Sequence, residues 1–306
     1  MGKEVPVEHY PYKAQEDSLV VYGAIRKKTR ELLSNTLFPP QQIHALELYL
    51  GLHFALSESF FEEEESLRKM KTPGANLFYH SKEHSLYQAT YDALAVTLAI
   101  LKREKNFAGH VSPEGALAIV LAAIYHDIGY VSGGRVENYA ARAPIHVEES
   151  KKMVVWAINR IEDTRAVNLG IGLPTDFDIQ KLKNLAVIGI HGTHFPYSEN
   201  KAIEGKKLID ALPLEQRKEA HIVRLAVQFA DLGGQCARID RYPDGLMGLR
   251  AELNAMKPGL GIELIGDDES MERKRREFRE SVLEKTVGKT GRAFFGQTAK
   301  AFTDLW

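Results

Sequence analysis

Residues 112–131, SPEGALAIVLAAIYHDIGYV, decide how this chain folds. Ser112 is a residue type that caps a helix, Pro113 suits the first helical position, and Glu114 places an acid in the first turn. Ala116 to Tyr125 then runs without a charge, which predicts a helix enclosed on all sides and far too short to span a bilayer. His126 and Asp127 follow directly. A carboxylate buried at the end of such a helix is costly unless it finds a partner, so this stretch predicts both a core and the site the core serves.

Working outward, helical periodicity dominates. Upstream, Ile43, Leu46, Leu50, Phe54 and Phe61 recur at three- and four-residue steps, predicting a helix from Gln41 to about Met70, entered through Pro39-Pro40. The Glu62–Glu65 run within it reads as a solvated face. Pro73-Gly74 marks a boundary. A helix is expected from about Ser81 to Lys105. Downstream, helices are expected over Pro144–Glu162, from Thr175-Asp176 to His191-Gly192, and from Leu214 to Asp231-Leu232-Gly233. Pro243-Asp244-Gly245 and Pro258-Gly259 are turn signals, and a charged helix with local ion pairs is expected around Arg273, Lys274, Arg275 and Arg276. Strand signals are sparse. The expected class is all-α, with an N-terminal helical extension over residues 1–74, a catalytic core over 75–240 and a C-terminal helical extension over 241–306.

Composition excludes several alternatives. The 306 residues are 44% hydrophobic and 26% charged, with a formal net charge of −1, values of an ordinary globular chain with no global field toward nucleic acid or an anionic membrane. The single cysteine, Cys236, rules out an intrachain disulfide framework. Residues 1–20 lack an apolar signal region, and Pro6 stands where a myristoylation signal needs Ser or Thr. These features give a cytoplasmic expectation. Gly288-Lys289-Thr290 lacks the upstream glycine of a P-loop, since Leu283 stands there. Nothing in the sequence opposes a homo-oligomer.

The polar residues that interrupt this pattern fall where apolar helices end. His126-Asp127, His191 and Asp231 each close an apolar segment and each precedes a glycine within two residues. Such a glycine is suited to the left-handed conformation that stops a helix, and the negative end of a helix favours a cation. Tyr79-His80-Ser81-Lys82-Glu83-His84 adds two histidines four residues apart, on one helix face. His9, His44, His53, His110 and His221 lie outside these segments and take no role.

In this order, His84, then adjacent His126-Asp127, then Asp231, the sequence resembles the HD-domain superfamily of metal-dependent phosphohydrolases over roughly residues 75–240. "YHSKEH" resembles the opening motif of cyclic-nucleotide phosphodiesterases and related bacterial phosphohydrolases, "AAIYHDIGYV" the HD motif, "IHVEES" the segment that follows it, and "LAVQFADLGG" the helix of the final aspartate. The resemblance implies an HD-domain helical bundle holding a divalent metal (Mn, Fe, Zn or Mg) on His84, His126, Asp127 and Asp231. In the two-metal version His146 and His191 join the set, with His194 competing for the place of His191, and Asp127 bridges the ions.

The implied reaction is hydrolysis of a small phosphomonoester or phosphodiester, a nucleotide above all, by a metal-activated water, with His80 protonating the leaving oxygen. Lys82 and Arg135 are cations suited to a phosphate, and Glu149 to orienting a ligand. Ile128-Gly129-Tyr130-Val131 lacks the Glu-Asp pair of guanosine-tetraphosphate hydrolases, and the Gly-Tyr-Pro signature of cyclic-di-nucleotide hydrolases is also missing. Two alternatives share the pattern: a di-iron oxygenase on the same fold, and a non-catalytic nucleotide sensor.

Overall fold

The computed structural model describes residues 18–35, 37–71, 82–103, 110–131, 145–168, 173–194, 199–236 and 268–278. In chain order the helices are α1 (Ser18–Leu33), α2 (Ile43–Lys71), α3 (Ala89–Arg103), α4 (Pro113–Tyr125), α5 (His146–Asn168), α6 (Ile179–His191), α7 (Glu199–Asp210), α8 (Leu214–Cys236) and α9 (Asp268–Phe278). A π-helical turn, Lys82–Gln88, leads into α3, and a 3₁₀ turn, Ile128–Tyr130, follows α4. No strand occurs among the described residues, so the fold is all-α.

α4 is the axis of the packing. Every residue from Gly115 to Tyr125 is buried, as a helix apolar on all sides requires. It packs against α6, α8, α3, α5 and α2. Close approach is bought by small residues: a Cβ on Gly189 of α6 would lie 2.8 Å from the Ala122 Cβ of α4 and 3.0 Å from Val227 of α8.

Both ends of α4 are tied down. At its start Ser112 caps as expected, accepting from the Gly115 amide at 3.2 Å. Glu219 of α8 reinforces this cap, accepting from the Ser112 amide at 2.6 Å and hydroxyl at 2.7 Å, while Lys181 of α6 pairs with Glu219 at 2.9 Å. At the other end α2 holds the last turn. Ser57 donates to the Ile124 carbonyl at 3.0 Å, and Tyr125 donates to the His53 carbonyl at 3.2 Å. That leaves the Tyr125 oxygen to accept from His53 Nδ1 at 3.0 Å. Burial pushes the His53 pKa down to about 3, so the ring is neutral.

Several expectations need correction. The apolar stripe of α2 is placed as expected, with Leu46, Leu50, Phe54 and Phe61 buried. The acidic run is not uniformly solvated: Glu64 is buried, and Glu62 pairs with Lys82 at 3.1 Å. The cap of α6 is Asp178, accepting from the Lys181 amide at 2.8 Å, two residues later than expected. α7 had no expectation, because its residues are mostly polar. α8 does not stop at Asp231 but continues through Gly233 to Cys236, since a glycine permits a helix stop without imposing one. Gly192 is right-handed, with φ −60°. Gly129 serves close approach: a Cβ there would overlap the carbonyl oxygen of His146, and its amide donates to Ser150 at 2.9 Å. The charged helix near Arg273 is present, with Lys274 and Glu277 at 3.4 Å.

Gly129→Ala should therefore lower stability by about 1–3 kcal/mol, because the obstructing atom is backbone and cannot rotate away. Gly51→Ala, at an exposed α2 position with nothing within 4 Å of the new methyl, should raise it by about 0.5–1 kcal/mol. Urea unfolding of the two variants checks both signs.

Candidate functional site

The HD pair sits where α4 gives way to the 3₁₀ turn, and both side chains are buried. His126 donates from Nδ1 to the Ala123 carbonyl at 2.9 Å, the last turn of its own helix. That bond fixes the ring and turns Nε2 toward two carboxylates. Asp127 Oδ2 lies 3.1 Å away and Asp231 Oδ1, from α8, lies 3.4 Å away. Neither oxygen lies in a direction that makes an oriented hydrogen bond with Nε2. Burial opposes protonation of His126, but Asp127 and then Asp231 outweigh it and hold its pKa well above the usual histidine value. Two carboxylates facing an imidazole nitrogen in a buried site favour a positive charge among them.

The π turn supplies the other side. Ser85 donates to Asp127 Oδ2 at 2.6 Å, placing the residue next to His84 against the HD carboxylate. His84 is fully buried, with Nδ1 2.5 Å from Gln88 Oε1. Gln88 gives its amide nitrogen to Asp92 Oδ2 at 2.7 Å and approaches the Ala230 carbonyl at 3.5 Å. Its oxygen therefore faces His84, and Nδ1 of His84 donates to it. In both histidines the Nδ1 bond selects the tautomer whose Nε2 can ligate a metal.

No family model matches this chain, and the comparison with curated proteins finds no match.

The remaining expected residues divide. His146 opens α5, buried beside the turn after Asp127, with its ring stacked on Tyr130 at 4.0 Å between centroids. His191 ends α6, donates from Nε2 to the Lys201 carbonyl at 3.1 Å, and packs edge-on against His194 at 6.0 Å. Nδ1 of His191 and both nitrogens of His194 are buried without a hydrogen-bond partner. Burial, foremost, holds both pKa values below the usual histidine value, against the raising effect of Glu148 on each. His191 and His194 thus lie side by side, and no bond to the HD pair selects between them. Among the described residues, no group of three or more His, Cys, Asp or Glu side chains is placed so as to hold a metal ion.

His80, Tyr79 and Arg135 lie outside the described residues. Lys82 is engaged by Glu62, and Glu149 pairs with Lys152 at 2.7 Å, so neither is directed at the HD pair by these contacts. Asp231 lies inside α8, more than a turn from its end, so the dipole argument does not reach it.

Sequence reading missed Ser85, Gln88, Asp92 and the His53–Ser57 clamp. Gln88 follows His84 at the four-residue helical step, a signal that was present; the clamp crosses between distant helices and has no local signature. The groups that the structure brings together here, the His126 imidazole with two carboxylate oxygens within 3.4 Å of its Nε2, are nitrogen and oxygen donors of the kind that divalent cations take.

Asp92 makes the cost of this buried network measurable. Burial raises its carboxyl pKa from 3.8 to about 7, against the lowering effects of Gln88 and Lys28. The folded chain holds this proton where the unfolded chain has lost it. The stabilisation is complete below the unfolded pKa and is lost as pH rises through about 7. Asp92→Asn keeps an acceptor for Gln88 and removes the titration. Between pH 4 and pH 7 the wild type should lose a few kcal/mol relative to the variant, read from paired denaturant titrations.

Proposed function

We propose that this protein is a metal-dependent phosphohydrolase of the HD type, acting on a small phosphomonoester or phosphodiester, with a nucleotide as the favoured substrate class. One observation carries the reading. The Nε2 of His126, its Nδ1 committed to the backbone, faces the carboxylates of Asp127, in the turn after α4, and Asp231, of α8, in a buried site.

His84, His126, Asp127 and Asp231 are the residues that would hold the cation, and His146 and His191 would join them for a second ion. When bound, a divalent cation neutralises charge on phosphoryl oxygens and lowers the pKa of a water toward neutrality. The chain's own residues do the rest. Ser85 holds one oxygen of Asp127, so that carboxylate keeps one orientation. Gln88 holds His84 in the ligating tautomer. His80, four residues before His84 in sequence, is assigned to deliver a proton to the leaving oxygen.

Purified protein should contain or take up manganese, iron, zinc or magnesium, and should release phosphate from members of a nucleotide panel. Asp127→Ala should remove the metal, by elemental analysis, in a chain that still folds. His84→Ala should lose metal and turnover together. His80→Ala should keep its metal and lose about 10²–10⁴-fold in turnover, and less for a p-nitrophenyl phosphodiester, whose leaving group needs no proton. Iron with oxygen consumption and no phosphate release would replace the hydrolase by the oxygenase. Nucleotide binding without turnover would leave a sensor.

A further inference from the structure

A cleft of about 360 Å³ opens between α1 and α2, a volume within the range of small-molecule sites. Its floor is apolar, made by Leu50 and Phe54 of α2 and by Val120 and Ile124 of α4. Two features set it apart from a packing gap.

The first is Thr90 of α3, which lines the cleft. Its side chain is 2% exposed, and its hydroxyl has no hydrogen-bond partner. Helical threonines elsewhere in this fold return the hydroxyl to the carbonyl four residues back, as Thr29 does to Ile25 at 2.9 Å and Thr97 to Ala93 at 2.7 Å. For Thr90 that carbonyl belongs to Leu86, inside the π turn, where the bonding register is shifted. A buried hydroxyl without a partner is costly, and here it borders open space.

The second is the mouth. Arg26 and Arg30 both direct Nε at one oxygen of Glu47, at 3.2 and 2.8 Å. Two guanidinium groups share one carboxylate, which leaves an excess of one positive charge at the rim. Their side chains are 67% and 57% exposed, so the outer nitrogens can reach a ligand.

We propose that this cleft binds a small monoanionic acid: a carboxylate head at Arg26 and Arg30, an apolar body over Val120 and Ile124, and a hydroxyl or carbonyl at the far end to meet Thr90. Phenolic carboxylic acids are the simplest members of that class. The site is separate from the HD pair, and its test is a binding measurement on the whole protein that does not depend on the hydrolase reading.

The probes are 3-(4-hydroxyphenyl)propanoate, 3-phenylpropanoate, which lacks the far hydroxyl, and 4-ethylphenol, which lacks the head. By titration calorimetry the first should bind about tenfold tighter than either of the others, the worth of one well-placed polar contact. Thr90→Val, which keeps the shape and removes the hydroxyl, should erase the preference for the phenolic acid while leaving 3-phenylpropanoate binding as it was. The double variant Arg26→Met, Arg30→Met should weaken both acids and leave 4-ethylphenol unchanged. A thermal melt verifies that each variant is folded. Absence of binding by all three probes up to about 1 mM, equal affinity for the three, or a Thr90→Val profile identical to wild type would overturn the proposal.

Discussion

Two carboxylates and an imidazole, all buried, meet at the end of a helix that has no polar face. Such a cluster is unfavourable in a low-dielectric interior unless a positive charge joins it and the groups are held by further hydrogen bonds. The rest of the structure is arranged around that constraint. His126 is pinned by a backbone carbonyl of its own helix, Asp127 by Ser85, and His84 by Gln88. The elevated pKa of His126, caused by Asp127 and Asp231 against the effect of burial, reflects the same constraint.

Geometry of this kind requires that α4 not move. Its start is locked by Ser112, Glu219 and Lys181. Its end is held by His53 and Ser57 of α2, and the turn beyond it by Ser150 of α5. α2 therefore does more than cover the core, since its polar side chains fix the turn that carries the HD pair. α1 packs on α3 and α2 in turn, which creates the cleft floored by α4.

Much of this was legible in the sequence. An uncharged ten-residue run is long for a buried strand and favours an enclosed helix, and Ser112-Pro113-Glu114 announces its start. The α2 stripe follows from three- and four-residue spacing. The elements read less well were those with weak local preference: α7, mostly polar, left no stripe, and the glycine after Asp231 suggested a stop that the backbone does not make, whereas α6 does end at His191. Glycine tolerates many conformations, so its presence marks either a turn or a close approach, and only neighbouring atoms distinguish them. At Gly129 that neighbour is the His146 carbonyl.

For the site, the sequence by itself singled out the imidazoles and carboxylates that interrupt apolar helices, because buried polar groups there are costly without a partner. It also determined the all-α class, through period. Tertiary structure alone decided that Asp231, from within α8 and not its end, comes to 3.4 Å from His126 Nε2, and that Ser85, Gln88 and His53 hold the participants. The reason is physical. Periodicity reports which face of one helix avoids water, whereas hydrogen bonds between helices depend on crossing geometry and rotation, which arise only when all the faces are packed at once.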